Sequence, residues 1–153
     1  MSVDEPTLRT GLIVVDHGSR RAESNTMHEQ LVGMVADVVP YDIVEPAHME
    51  LAEPSIAAAF ARCVAAGAER VIISPYFLLP GRHWSSDIPA LAAAAAKDHP
   101  GVSYLVTAPL GLHPLMAQVV AARVAHCVAH SQGLADECEV CSGTGRCALC
   151  DNV

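Results

Sequence analysis

Four short stretches hold most of the residues that could do chemistry: DHGSRR (16–21), AHMELAEP (47–54), FLLPGRHW (77–84) and APLGLHP (108–114). Each contains a histidine: His17, His48, His83 and His113. Neutral imidazole binds divalent first-row metals and exchanges protons near neutral pH. Glu50 lies two residues from His48, so the two point the same way if the chain there is extended. His17 and His83 could converge on one metal ion, where a carboxylate can share the site or accept protons. So few fixed ligands leave coordination positions open, which suits a metal that must depart better than one enclosed by four ligands. Taken singly, each histidine is equally served by loop hydrogen bonds. The pairing of His17 with His83 is what points to metal.

Those stretches need a frame that brings them together. LIVV (12–15) reads as a buried strand, and residues 22–39 place Met27, Leu31, Met34, Val35 and Val38 on one helical face. YDIVEPAHM contains a second strand, after which Glu53-Pro54 opens a helix carrying Ile56, Phe60, Cys63 and Val64, closed by Gly67. RVIISPYF is the third strand, and an Ala-rich helix runs from about Ser86 to Asp98. VSYLVT is the fourth strand, and Pro114 starts a helix with Val120, Val124 and Cys127 at three- and four-residue spacing. Four βα units predict an α/β fold: three layers, a four-stranded parallel sheet with helices on both faces. Right-handed crossovers then bring every loop that follows a strand to one edge, where open α/β sheets bind ligands. The four histidine loops are those loops.

Composition narrows the function classes. With 153 residues, 52% apolar and 17% charged, the chain suits one compact domain. No apolar run approaches the ~20 residues that cross a bilayer, and MSVDEPTLRT lacks the apolar segment of a secretory signal. A net charge of −8 argues against a nucleic-acid-binding face. Arg20, Arg21 and Arg82 nevertheless cluster in two of the histidine loops, where a local positive field suits an anionic small molecule.

GLIVVDHGSRRAESN, EPAHMELAEPSI, RVIISPYFLLPGRHWSSDIP and YLVTAPLGLHP resemble the small class II chelatases of the sirohydrochlorin chelatase family, in order, from about residue 11 to 130. The resemblance implies a flavodoxin-like chelatase fold and a homodimer. It also implies insertion of Fe2+ into sirohydrochlorin to give sirohaem, or of Co2+ on the route to cobalamin. His17 and His83 match the family's metal-handling histidines, and Glu50 its acidic position in MELAEP. His48 is carried over weakly as substrate-facing, and the arginines as partners for the carboxylates of sirohydrochlorin. Metal insertion strips water from the ion and removes two pyrrole protons, a task for neutral histidines and a carboxylate. Iron is favoured, because plant-type members carry a Cys-rich extension like this one. The expected compartment is the cytoplasm, or the plastid stroma if a transit peptide has been removed.

Residues 134–153 form an irregular tail distinct from the body, 1–133. Cys138, Cys141, Cys147 and Cys150 give C-x2-C-x5-C-x2-C, a set suited to an iron–sulfur cluster, to zinc, or to redox-active dithiols, and the resemblance to plant-type members implies a [2Fe–2S] cluster. Cys63 and Cys127 fall on apolar helical faces and read as core thiols. Two other classes of function compete. DHGSRR could cup a phosphate at a helix N-terminus, although no glycine-rich nucleotide motif follows any strand. Alternatively, the cysteines could make the chain a redox sensor or metal carrier.

Overall fold

A computed structural model describes residues 7–145 and Cys147, so Cys150 lies outside the described residues. Strands β1 (Thr10–Asp16), β2 (Ile43–His48), β3 (Arg70–Pro75) and β4 (Ser103–Val106) form one sheet, ordered β2-β1-β3-β4. All three pairings are parallel, as the strand–helix alternation predicts. Helices cover both faces of the central strand β1, which is why TGLIVVD carries apolar residues without alternation. Ile13 and Val15 join Phe60, Ile73, Ile88 and Ala92 on one face, where α2 (Ile56–Ala65) and α3 (Ile88–Lys97) pack. Leu12 and Val14 meet Val32 of α1 (Ala22–Ala36) on the other. Phe60, fully buried, contributes roughly 1.5–3 kcal/mol by leaving water. Gly11 lets β1 and α2 approach closely, since a Cβ there would sit 2.9 Å from the Cys63 sulfur.

Two helices differ from their sequence expectation. The inward face of α1 centres on His28 and Val32, while Met34 and Val38 are exposed. The apolar stripe of α1 is therefore rotated from the predicted one, and a histidine occupies its buried centre. Helix α2 starts at Ile56, not at Pro54: Ser55 caps it by accepting a hydrogen bond from the Ala58 N–H at 3.1 Å. A π-helical turn, His83–Asp87, precedes α3.

The chain divides into two compact units, one ending at Gly111 and the other beginning at Leu112. The second groups α4 (Pro114–Ser131) with the cysteine segment, a boundary earlier than residue 133. His113 caps α4, its Nδ1 accepting from the Leu115 N–H at 3.2 Å. Cys127 is exposed on α4, contrary to the core-thiol expectation, whereas Cys63 is buried as expected. Among the described residues no helix is long and apolar enough to cross a membrane.

Candidate functional site

In parallel strands every carboxyl end faces the same edge, and β1 and β3 sit side by side there. The chain leaves β1 toward β2 and later returns across β1 to reach β3, which opens a crevice between their ends. His17 follows β1 directly, and His83 lies in the loop after β3. Their ring centroids are 5.1 Å apart in an edge-to-face arrangement.

The sharp exit of β1 requires Gly18, which adopts φ +86°. A Cβ there would sit 1.9 Å from the Glu50 carbonyl oxygen, so any other residue would push the two loops apart. Backbone bonds fasten them: Met49 N–H donates to the Asp16 carbonyl at 2.8 Å, and Glu50 N–H to the His17 carbonyl at 3.1 Å. Asn25, in the first turns of α1, clamps Ser19 by donating to its carbonyl at 2.8 Å and accepting its N–H at 3.0 Å. The result is a fixed His17–Glu50 pair, with Nε2 to Oε1 2.8 Å. His17 Nδ1 faces the Gly18 carbonyl at 3.2 Å. Both ring nitrogens therefore meet oxygen acceptors, and a proton taken up by His17 is held by either neighbour.

His83 is oriented from its own turn. Its Nδ1–H donates to Asp87 at 2.7 Å, which leaves Nε2 with a lone pair for a metal. Trp84 anchors that turn by donating its indole N–H to the Thr107 carbonyl at 2.9 Å. The side chains of His17 and His83 are 39% and 50% exposed, open enough to meet a substrate yet held by named partners.

Arg20, Arg21 and Arg82 are exposed on the same two loops, without a side-chain partner among the described residues. Apolar groups also stand exposed there: Leu51, Leu78 and Leu79. Leu51 adopts φ +68°, a conformation costing about 1–2 kcal/mol for a branched residue. That local strain marks the turn beside Glu50 as held by its surroundings.

His48 departs from its expected role. It is fully buried and donates from Nδ1 to Asp16 Oδ1 at 2.5 Å, so it touches no substrate surface. The reason is register: Asp16 and His48 are partners across β1 and β2. Asp16 also accepts the Gly18 N–H at 2.9 Å, and its second oxygen lies 3.6 Å from Nδ1 of buried His28. Sequence reasoning missed Asp16 and His28. Among the described residues, Asp16, His28 and His48 are the one group of three metal-ligating side chains with ligand atoms all within 4.8 Å. A cleft at the opposite edge, lined by Arg9, Tyr41 and Arg70, contains none of these groups.

In the second unit, Cys138 and Cys147 are buried and Cys141 half-buried. The Cys141 thiol is hydrogen-bonded to both, and these bonds with burial push it up to about 11. The backbone N–H groups of Cys141 and Val140 hold Cys138 below its usual range. Glu139 pairs with Arg123 of α4 at 2.6 Å.

A family model described as CbiX matches residues 11–127. The chain is 60% identical over 139 residues to the chloroplastic sirohydrochlorin ferrochelatase of Arabidopsis thaliana, covering 91% of this chain and 62% of that protein. It is 37% identical over 90 residues to a sirohydrochlorin cobaltochelatase of Methanococcus maripaludis, covering 59% of this chain and 62% of that one. The chain thus spans about three-fifths of the length of both curated relatives. Among solved structures, SirB from Bacillus subtilis with Fe3+ superposes with a TM-score of 0.72 at 26% identity, over 76% of this chain and 46% of that one. The cobalt complex of the sirohydrochlorin chelatase SirB from Bacillus subtilis subspecies spizizenii gives 0.74 at 27%, over 77% and 50%.

Proposed function

The chain belongs to the CbiX family, and from that premise we propose that it inserts Fe2+ into sirohydrochlorin to form sirohaem. The observation that carries this reading is the convergence of His17, Glu50 and His83 at the carboxyl edge of β1 and β3. His83 Nε2 offers the incoming ion a neutral, replaceable ligand. The His17–Glu50 pair offers acceptors for the two pyrrole protons that metallation releases, and one proton at a time can rest between Nε2 and Oε1. Leu51, Leu78 and Leu79 give the macrocycle an apolar surface, while Arg20, Arg21 and Arg82 suit its peripheral carboxylates.

Iron is favoured over cobalt because the relative named as a ferrochelatase matches at 60% identity and the cobaltochelatase at 37%. The chloroplastic name of the former supports a plastid location here. Two copies of the chain form the working unit, as the family resemblance implies. The cysteine segment fits a thiolate-bound group: two of its thiols are hydrogen-bonded to the third, and one of these is already disposed to ionise. Cys138, Cys141, Cys147 and Cys150 would hold a [2Fe–2S] cluster, which supplies one-electron chemistry when bound. A brown protein that bleaches on oxidation supports that assignment, and a colourless chain with stoichiometric zinc refutes it.

The deciding experiment is anaerobic insertion of Fe2+ and of Co2+ into sirohydrochlorin, followed by its absorbance, with His17→Ala as control. Rapid ferrous insertion that His17→Ala abolishes is the expected result. Absence of insertion with either ion overturns the proposal.

A further inference from the structure

The buried triad beneath the first two histidine loops has no task in the account above. We propose that Asp16, His28 and His48 form a second, enclosed site for a divalent first-row transition ion, distinct from the open His17–Glu50–His83 set.

The hydrogen bonds define which atoms are free. His28 Nε2 lies 3.0 Å from the Val14 carbonyl, which only accepts, so Nε2 carries the proton. In neutral His28 the lone pair is then on Nδ1, which has no hydrogen-bond partner although the side chain is 3% exposed. It faces Asp16 Oδ2 at 3.6 Å, so two acceptors oppose each other. An orphan buried nitrogen of this kind is costly unless something positive lies between. Two tetrahedral ligands at ~2.1 Å from one ion stand ~3.4 Å apart, close to the gap observed. His48 completes the set: its side chain is fully buried, and a move of its ring proton from Nδ1 to the unpartnered Nε2 would free Nδ1, 2.5 Å from the other Asp16 oxygen, to ligate.

Three further features fit a metal. A histidine whose second nitrogen donates to a backbone carbonyl is the usual arrangement for a ligating imidazole, and it fixes both tautomer and orientation. Two nitrogens and one carboxylate oxygen select ions such as Zn2+, Co2+ or Fe2+ over Mg2+ or Ca2+. Asp16 is 23% exposed, which leaves an entry path from the loop surface.

The test uses the full chain as the His17→Ala/His83→Ala variant, so that the open set cannot bind. Imidazole 15N signals are followed while Zn2+ is added in several-fold excess, enough to fill the thiols as well. The expected result is a large shift of His28 Nδ1, with the His28 Nε2–H retained and protected from exchange. Adding His28→Gln, which keeps a donor for the Val14 carbonyl, should weaken the binding that shifts His48 by at least about tenfold. A His28 Nδ1 signal unmoved by Zn2+ overturns the proposal without any further variant. His48 shifts that persist unchanged in the His28→Gln protein overturn it as well.

Discussion

The His17–Glu50 pair is fixed by bonds that span the fold, whereas the cysteines of the tail are fixed by turns a few residues long. Glu50 reaches His17 because β1 and β2 run side by side and backbone bonds join Asp16 to Met49 and His17 to Glu50. Cys138 and Cys141 meet because the Cys141 and Ser142 N–H groups fold back on the Cys138 carbonyl at 3.1 and 2.8 Å. The first arrangement is held by backbone bonds of the fold itself, which suits a site that passes its metal on. The second depends on local turns, so a bound group would contribute much of its order. In the proposed reading the first region turns its metal over and the second retains one.

The sharpest way to break that contrast is at Glu50. Glu50→Gln keeps the shape of the side chain but removes its proton-accepting capacity, and ferrous insertion should fall about 100-fold or more. Insertion near the wild-type rate would remove Glu50 from the chemistry. Gly18→Ala attacks the rigidity of the edge instead. Its Cβ would overlap the Glu50 carbonyl, so a loss of roughly 1–3 kcal/mol in urea unfolding is expected, together with slower insertion. Unchanged stability would mean that the two loops can separate freely.

A smaller effect distinguishes the thiols of the reduced, metal-free chain. Cys138 ionises below its usual range because backbone N–H groups stabilise the thiolate, so near neutral pH it should be alkylated before Cys141. Cys141 stays protonated until the pH nears about 11 and should follow only in alkali. Cys63, pushed up to about 12 by burial and then by Glu45, should react only once the chain unfolds. Mass mapping of the alkylated residues checks the order. Cys141 labelled before Cys138 would contradict it.

Much of the sheet edge is legible in the sequence. Runs such as LIVV and RVII are strands because β-branched residues fit a sheet buried on both faces, and the alternation with Ala-rich segments makes those strands parallel. Loops after parallel strands must share an edge, so the His17–His83 pairing follows from topology before any coordinates. The layer below is not legible in that way. His28 sits in α1 one position from Met27, and only the observed rotation of the helix puts the imidazole inward. Asp16 and His48 meet through strand register, which hydrophobic pattern alone does not fix to the residue. The exposed leucines of the edge were hidden too, because an apolar residue in a loop reads the same whether it faces core or solvent. A polar residue at the end of a buried strand, with a histidine at the end of its neighbour, is the signal that could have revealed Asp16 and His48.

The central claim is that metal insertion resides in the sheet edge and not in the cysteine segment. It is tested most directly by anaerobic ferrous insertion with two variants in parallel, His17→Ala/His83→Ala and a chain with serine at positions 138, 141, 147 and 150. The histidine variant should retain its circular dichroism yet lose insertion by about 100-fold or more. The serine variant should insert iron within about twofold of the wild-type rate. The reverse pattern, with activity surviving loss of the histidines and lost with the thiols, would contradict the account.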